Sequence, residues 1–211
     1  MTTFVPGKFA NPYQRTMYGN GWDRSEDGST RDKVLKRDLT DITYSTDRKT
    51  ILTGTLVCPY SGATCVYKRG LSTVDVDHII PLSFAYKRTV DSWTPEKRKE
   101  FANDMRNLIL VSAGENRMKG DKGPTEYLPL INVKSYLRWF YFIANQYKIP
   151  LTNTEKDIIF NVVNKGQVYH IRPTYQQEGH ETNDNPFGRP AQQPDGDRLD
   201  RLYNQFMGGF Q

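Results

Sequence analysis

Residues 74–84 read VDVDHIIPLSF. Two carboxylates and an imidazole, Asp75, Asp77 and His78, interrupt a run that otherwise has the composition of a buried strand. An unpaired buried ion costs several kcal/mol or neutralises itself, so charge in such a run has to be compensated. Two readings compete. One is an edge strand with a solvated face and a structural histidine. The other is a metal site with a general base beside it. Asp77 is a hard oxygen donor, and a histidine close to neutral pKa suits proton abstraction. Downstream, RNLIL places Asn107 at the head of an apolar run, and ENRMK places Asn116 and Lys119 three residues apart.

The elements that must carry these residues follow from periodicity and capping. The spacing predicts a strand over 74–80, ended by Pro81, and a short buried strand LILV at 108–111. Ser112 is a plausible N-cap and Gly120 or Gly123 a stop, which gives a short helix with Asn116 and Lys119 on adjacent turns. Thr94 followed by Pro95 starts another helix that ends near Asn103. A helix capped near Ser29 or Thr30 runs through RDKVLKRDL. The stretch YSTDRKTILTGTLVCPY is β-like, with Gly54 and Pro59 as punctuation. Two later helices, about 131–147 and 153–165, show apolar faces at helical spacing. Residues 1–28 read as irregular. From about 174 the composition turns to Gln, Asn, Asp, Gly and Pro, a flexible linker before a weakly amphipathic last dozen residues.

The chain has 211 residues, a net charge of +5 and 36% hydrophobic residues, with pI near 9.1 and mean hydropathy −0.71. This suits one domain with an appendage, and a polyanionic partner. No apolar run is long enough to cross a bilayer, and MTTFVPGKFANPYQRT has no charged start followed by an apolar core. A cytoplasmic protein is therefore expected, in the host cytoplasm if phage-encoded. Cys58 and Cys65 alone cannot complete a tetrahedral zinc site. Their spacing permits a disulfide, whereas a reducing cytoplasm favours free thiols.

Strand, strand, helix with D-H, N and N-x-x-K at these points resembles the HNH nucleases of the ββα-metal superfamily. DVDHIIPLSF, N-L-I-L and N-R-x-K-G are similar to the HNH domain of the RNA-guided CRISPR nucleases. With WDRSEDGSTRDKVLKRD, CPYSGAT, EKRKEFAND and NLILVSAGENRMKGDKGPTEYLP, the chain resembles the GmrSD C-terminal type of HNH endonuclease over roughly residues 13–150. The resemblance implies an α+β fold. A ββα-metal core at about 74–123 would carry additional N-terminal β/α elements and C-terminal helices. Residues 1–170 would form the nuclease domain, with 171–211 as linker and tail.

It also implies a metal-dependent endonuclease hydrolysing DNA. In that scheme His78 is the general base, and Asp77 and Asn116 hold one divalent cation. Asn107 holds the loop and orients the imidazole, while Lys119 meets a non-bridging phosphate oxygen. Arg117 and Lys122, with Lys119, grip the nucleic-acid backbone. Asp75 shares a strand face with Asp77 and is a further candidate to tune the metal. Asn116 stands where some subfamilies supply a third histidine, which favours Mg²⁺ or Mn²⁺ over softer metals. No GxxxxGK[ST] loop is present, so the chain carries no nucleotide-driven sensor. A phage or mobile-element origin fits the small size. Double-strand cutting would require a homodimer or successive nicks, and the tail could dock a protein partner. RNA cleavage is the alternative within the fold. A non-catalytic, nucleic-acid-binding or particle-associated protein is the alternative outside enzymology.

Overall fold

The computed structural model describes residues 12–89 and 92–173. The linker and C-terminal peptide expected from 174 onward lie outside the described residues. After a 3₁₀ turn at Arg15–Tyr18, the elements are β1 (Arg24–Ser25), β2 (Gly28–Ser29), α1 (Thr30–Asp38), β3 (Thr40–Tyr44), β4 (Ile51–Val57), β5 (Thr64–Lys68) and β6 (Val74–His78). Then come α2 (Leu82–Thr89), α3 (Pro95–Asn103), a 3₁₀ turn at Met105–Asn107, β7 (Leu108–Ser112), α4 (Ala113–Lys119), α5 (Val133–Gln146) and α6 (Asn153–Lys165). The fold is α+β, with small antiparallel sheets β1-β2, β3-β4-β5 and β6-β7. No helix among the described residues is long and apolar enough to cross a membrane.

Local chemistry explains the helix boundaries. Ser29 and Asp32 form a reciprocal capping box at the start of α1, and Thr152 with Glu155 does the same for α6. Thr94 caps α3 with Pro95 in its first turn. Ser112 caps α4, and Gly120, at φ +53°, closes it. The β-like stretch around residue 50 is a hairpin. It turns at Ser45–Thr50, and β5 adds as a third strand after the Cys58–Ala63 turn. A Cβ at Gly54 in β4 would lie 2.9 Å from Leu39 Cδ1 and 3.1 Å from its Cβ, so a larger residue there would displace Leu39.

β6 is shorter than the predicted 74–80. The ladder ends at His78↔Leu108, because Asn107 leaves the sheet in its 3₁₀ turn and serves the chain by other means. Its backbone oxygen accepts from Ile79 N (2.9 Å), its Oδ1 accepts from Ile80 N (2.8 Å), and its Nδ2 donates to Ile80 O (3.2 Å). Pro81, read as a strand terminator, also opens α2, where Ala85 N donates to the Pro81 carbonyl. That helix was not anticipated.

β7 partitions two cores by the period-two alternation of a strand. Ile109 and Val111 belong to the larger core, with Phe84, Phe101, Tyr136 and Phe140. Leu108 and Leu110 belong to the smaller one, with Val34, Leu35, Leu56 and Tyr67. Each such side chain stabilises by about 1.5–3 kcal/mol on full burial. In register, Asp75 pairs with Val111 and Asp77 with Ile109. Both acids therefore share the face on which α4 packs, and His78 takes the opposite face.

The outer edge of β7 has no third strand, and side chains of α1 take its place. Asp38, 1% exposed, accepts from Leu110 N at 2.8 Å. Arg37 donates to the carbonyls of Leu108 (2.7 Å) and Met105 (3.0 Å). An edge so covered cannot pair with another chain. Asp38→Ala is expected to lower unfolding free energy in urea by about 2–4 kcal/mol, because it leaves a buried N–H and a cation uncompensated.

The turn that delivers Asn107 is fastened by Asp104. Its carboxylate accepts from the Arg106 guanidinium (2.6 and 3.0 Å), from Arg106 N (2.9 Å) and from the Tyr147 hydroxyl (2.6 Å). Burial alone would push this carboxyl up, but the hydrogen bonds from Arg106 and Tyr147 outweigh it and hold it below the ordinary range. A carboxyl depressed on folding adds stability that is full above the unfolded value of about 3.9 and is lost as pH falls through the folded value. Acid titration of stability should therefore be shallower below pH ~4 in Asp104→Asn than in the wild type.

Candidate active site

His78 closes β6 and is 6% exposed. Its Nε2 lies 2.9 Å from the Ala102 carbonyl oxygen. A carbonyl only accepts, so Nε2 carries the proton and Nδ1 keeps its lone pair. The indole of Trp22 stacks on the ring at 5.6 Å between centroids and 11° between planes. Burial pushes the His78 pKa down to about 3, helped by the positive charges of Arg15 and Lys119 and opposed by the bond to Ala102. The imidazole is neutral at physiological pH, in one tautomer and one orientation, but its pKa lies well below the near-neutral value expected of it from the sequence. The sequence assigned its orientation to Asn107. The structure gives that task to Ala102 and Trp22, and Asn107 instead clamps the backbone at Ile79 and Ile80.

Asp77 is 4% exposed and Lys119 is fully buried. Lys119 Nζ donates to Asp77 Oδ1 (2.9 Å) and to the His78 carbonyl (2.8 Å). The Tyr60 hydroxyl donates to Asp77 Oδ2 (2.8 Å). Burial raises the Asp77 pKa and lowers that of Lys119, and each is pulled back by the other. Tyr60 is pushed far up by burial and by Asp77, which keeps the phenol protonated as a donor. Lys119, expected from the sequence at a phosphate oxygen and the nucleic-acid backbone, is here fully enclosed by protein. Its ammonium points inward, because it is the nearest cation able to compensate Asp77.

One turn earlier on α4, Asn116 Nδ2 donates to Asp75 Oδ2 at 3.1 Å. With the amide nitrogen facing Asp75, the amide oxygen is left for other partners. Asp75 thus orients Asn116.

Asp77, His78 and Asn116 line a single cavity of about 160 Å³, together with Arg15, Ser83 and Asp121. Asp121 is held by Lys87 (2.8 Å) and Ser83 (3.3 Å). The walls include neither Lys119 nor Arg117 nor Lys122; Arg117 is exposed and Lys122 half-buried. No three His, Cys, Asp or Glu side chains among the described residues group as metal ligands. A cation here would depend on the Asp77 carboxylate, the Asn116 amide oxygen, and water or phosphate oxygens. That all-oxygen, mostly aqueous set fits a hard ion of the magnesium class. With bonds from Lys119, Tyr60 and the His78 backbone N–H, one of the about four lone-pair sites of the Asp77 carboxylate is left for such an ion.

Arg15, Trp22, Tyr60 and the Ala102 carbonyl were not foreseen as parts of the site. The aromatic-rich N-terminal stretch and the CPYSGAT block contained three of them. A backbone carbonyl leaves no trace in residue type.

An antiparallel strand pair, one strand of which ends in Asp-His, is backed by a helix that presents Asn to the same cavity. Residues 29–138, just over half of the chain, match the family described as GmrSD restriction endonucleases, C-terminal domain. The chain belongs to this family, and nuclease activity is what the family implies. It is also 36% identical over 141 residues to an "Uncharacterized secreted protein" of the fungus Arthroderma benhamiae, covering 64% of this chain and 67% of that one. No solved structure matches significantly.

The buried ion pair makes a prediction that separates it from a surface phosphate contact. Lys119→Met should lower unfolding free energy by about 3–5 kcal/mol, as for breaking a buried pair. Lys122→Met should stay within about 0.5 kcal/mol of the wild type, as for an ordinary surface change. Urea unfolding of both variants checks it.

Proposed function

We propose that the protein is an HNH-type, metal-dependent endonuclease that hydrolyses DNA phosphodiester bonds. The observation that carries this reading is the shared cavity. His78, neutral with Nε2 bonded to Ala102 and Nδ1 unprotonated, lines it together with Asp77 and Asn116. Nδ1 accepts a proton from water as the water oxygen bonds to phosphorus. The P–O3′ bond breaks on the far side, and the leaving oxygen takes a proton from solvent. A divalent cation, Mg²⁺ or Mn²⁺, held by Asp77 and Asn116, would supply the charge that stabilises the phosphate and leaving oxygen.

The chain's own residues prepare this step. Ala102 and Trp22 hold the imidazole, and Asp75 sets the Asn116 amide. Tyr60 and Lys119 hold Asp77. Lys119 neutralises much of the Asp77 charge, which would keep cation affinity low until a substrate phosphate adds its own oxygens. Arg117, exposed on α4, and Lys122 would serve as outlying backbone contacts. Water as nucleophile needs no 2′-hydroxyl, and the +5 net charge suits duplex DNA, where phosphate neutralisation dominates affinity. One such site cuts one strand per encounter, so nicking is the primary product, and double-strand breaks would need a second copy. A cytoplasmic setting is part of the proposal, supported by the free thiols of Cys58 and Cys65; the fungal relative, by contrast, is described as secreted.

Supercoiled plasmid incubated with the protein and Mg²⁺ should yield nicked circles, and His78→Ala should yield none. Equal cutting by both proteins, or no cutting by folded wild type in Mg²⁺ or Mn²⁺, would sink the reading. Single-stranded RNA in a parallel reaction decides the substrate.

A further inference from the structure

With Lys119 turned inward, a substrate phosphate in the cavity lacks the cation the sequence had assigned to it. The cavity still contains one. Among the described residues lining it, Arg15 is the sole lysine or arginine. Its guanidinium carbon lies 6.0 Å from the Trp22 ring centre. It shares the cavity wall with His78, and its charge is felt by the neighbouring Tyr13 hydroxyl. No carboxylate among the described residues pairs with it. Of the cavity's own carboxylates, Asp77 is matched by Lys119 and Asp121 by Lys87.

Arg15 is held in place by the segment that carries it. It opens the 3₁₀ turn that ends at Tyr18. The Tyr18 ring is 2% exposed, and its hydroxyl donates to Leu82 O at 2.9 Å. Farther along, Asp23 N donates to Asn103 Oδ1 (2.9 Å), and Lys99 bonds the Asp23 carboxylate (2.9 Å). Between these anchors lies Trp22, stacked on His78. The strap is fastened to α2 and α3 at both ends and lies across the histidine. It also precedes residue 29, where the family match begins.

We propose that this N-terminal strap completes the active site, with Arg15 gripping the non-bridging oxygens of the scissile phosphate. The proposal rests on the endonuclease reading above. A guanidinium is permanently charged and offers paired donors that match two phosphate oxygens. It adds the positive charge that the neutralised Asp77–Lys119 pair cannot supply. Because Arg15 stands beside His78, the grip also fixes the phosphate relative to the attacking water. Trp22 acts as a positioning residue through the imidazole.

The test uses the full-length chain and a plasmid-nicking assay with Mg²⁺, comparing wild type, Arg15→Ala, Arg15→Lys and His78→Ala. Arg15→Ala should lower kcat/KM by about 10²-fold, the scale of losing one preorganised charge donor. Arg15→Lys should recover part of that loss, and millimolar guanidinium should partly restore Arg15→Ala. Thermal melting should be unchanged, since the side chain is exposed. If wild type cuts, His78→Ala does not, and Arg15→Ala stays within twofold of wild type, Arg15 is not the phosphate grip and the nuclease reading stands. A loss accompanied by a lower melting temperature, with no guanidinium rescue, shows a structural strap and overturns the assignment equally. If wild type itself does not cut, both proposals fall together.

Discussion

A carboxylate placed at the end of a strand and almost wholly removed from water must be compensated within hydrogen-bond reach, or it does not remain ionised. Asp77 is in this position, and the response of the fold to it organises the site. Lys119 comes from the last turn of α4, Tyr60 from the turn after β4, and both bond the same carboxylate. The ammonium also takes the carbonyl of His78, so one buried cation ties the helix to the strand end that presents the histidine. A buried pair of this kind is weak evidence for added stability, since both ions lose hydration. Its value lies in register, because any other packing of α4 on the hairpin would strand a charge.

The electrostatic consequence reaches the cavity. Asp77 with Lys119 and Asp121 with Lys87 are close to neutral as pairs, while His78 is kept uncharged by burial and by neighbouring cations. Among the described residues, Arg15 lines the cavity with no carboxylate paired to it. A neutral imidazole there adds no further positive charge. Its bond to Ala102 decides which nitrogen is available, and that bond depends on the end of α3, not on any neighbour in sequence.

A two-stranded hairpin with one short helix cannot sustain itself in water, and the surrounding elements supply what it lacks. On one face of β7, α2, α3 and α5 bury Ile109 and Val111. On the other, α1 and the β3-β4-β5 sheet bury Leu108 and Leu110. Arg37 and Asp38 satisfy the exposed edge as a neighbouring strand would. Asp104, Arg106 and Tyr147 brace the turn that brings Asn107 under Ile80, so the strand stops at His78 and the chain can bend into α2.

What was legible in the sequence was local. Thr94-Pro95, Ser112 with Gly120 or Gly123, and Ser29 or Thr30 mark helix ends through bonds made within a single turn, and the structure places the ends at Thr94, at Ser112 and Gly120, and at Ser29. The order D-H, N, N-x-x-K placed Asp77, His78 and Asn116 on a hairpin and helix, and these three line one cavity. Strand limits were less secure, since β6 ends early under the control of Asn107, a residue nearly thirty positions away. α2 was missed because Pro81 reads equally as an end or a beginning. The inward turn of Lys119, the carbonyl that fixes the imidazole and the approach of Arg15 and Trp22 were beyond reach. Residue type and spacing state which donors exist and which face of an element carries them. Which charge meets which, and what water is excluded between them, is settled only when distant segments pack.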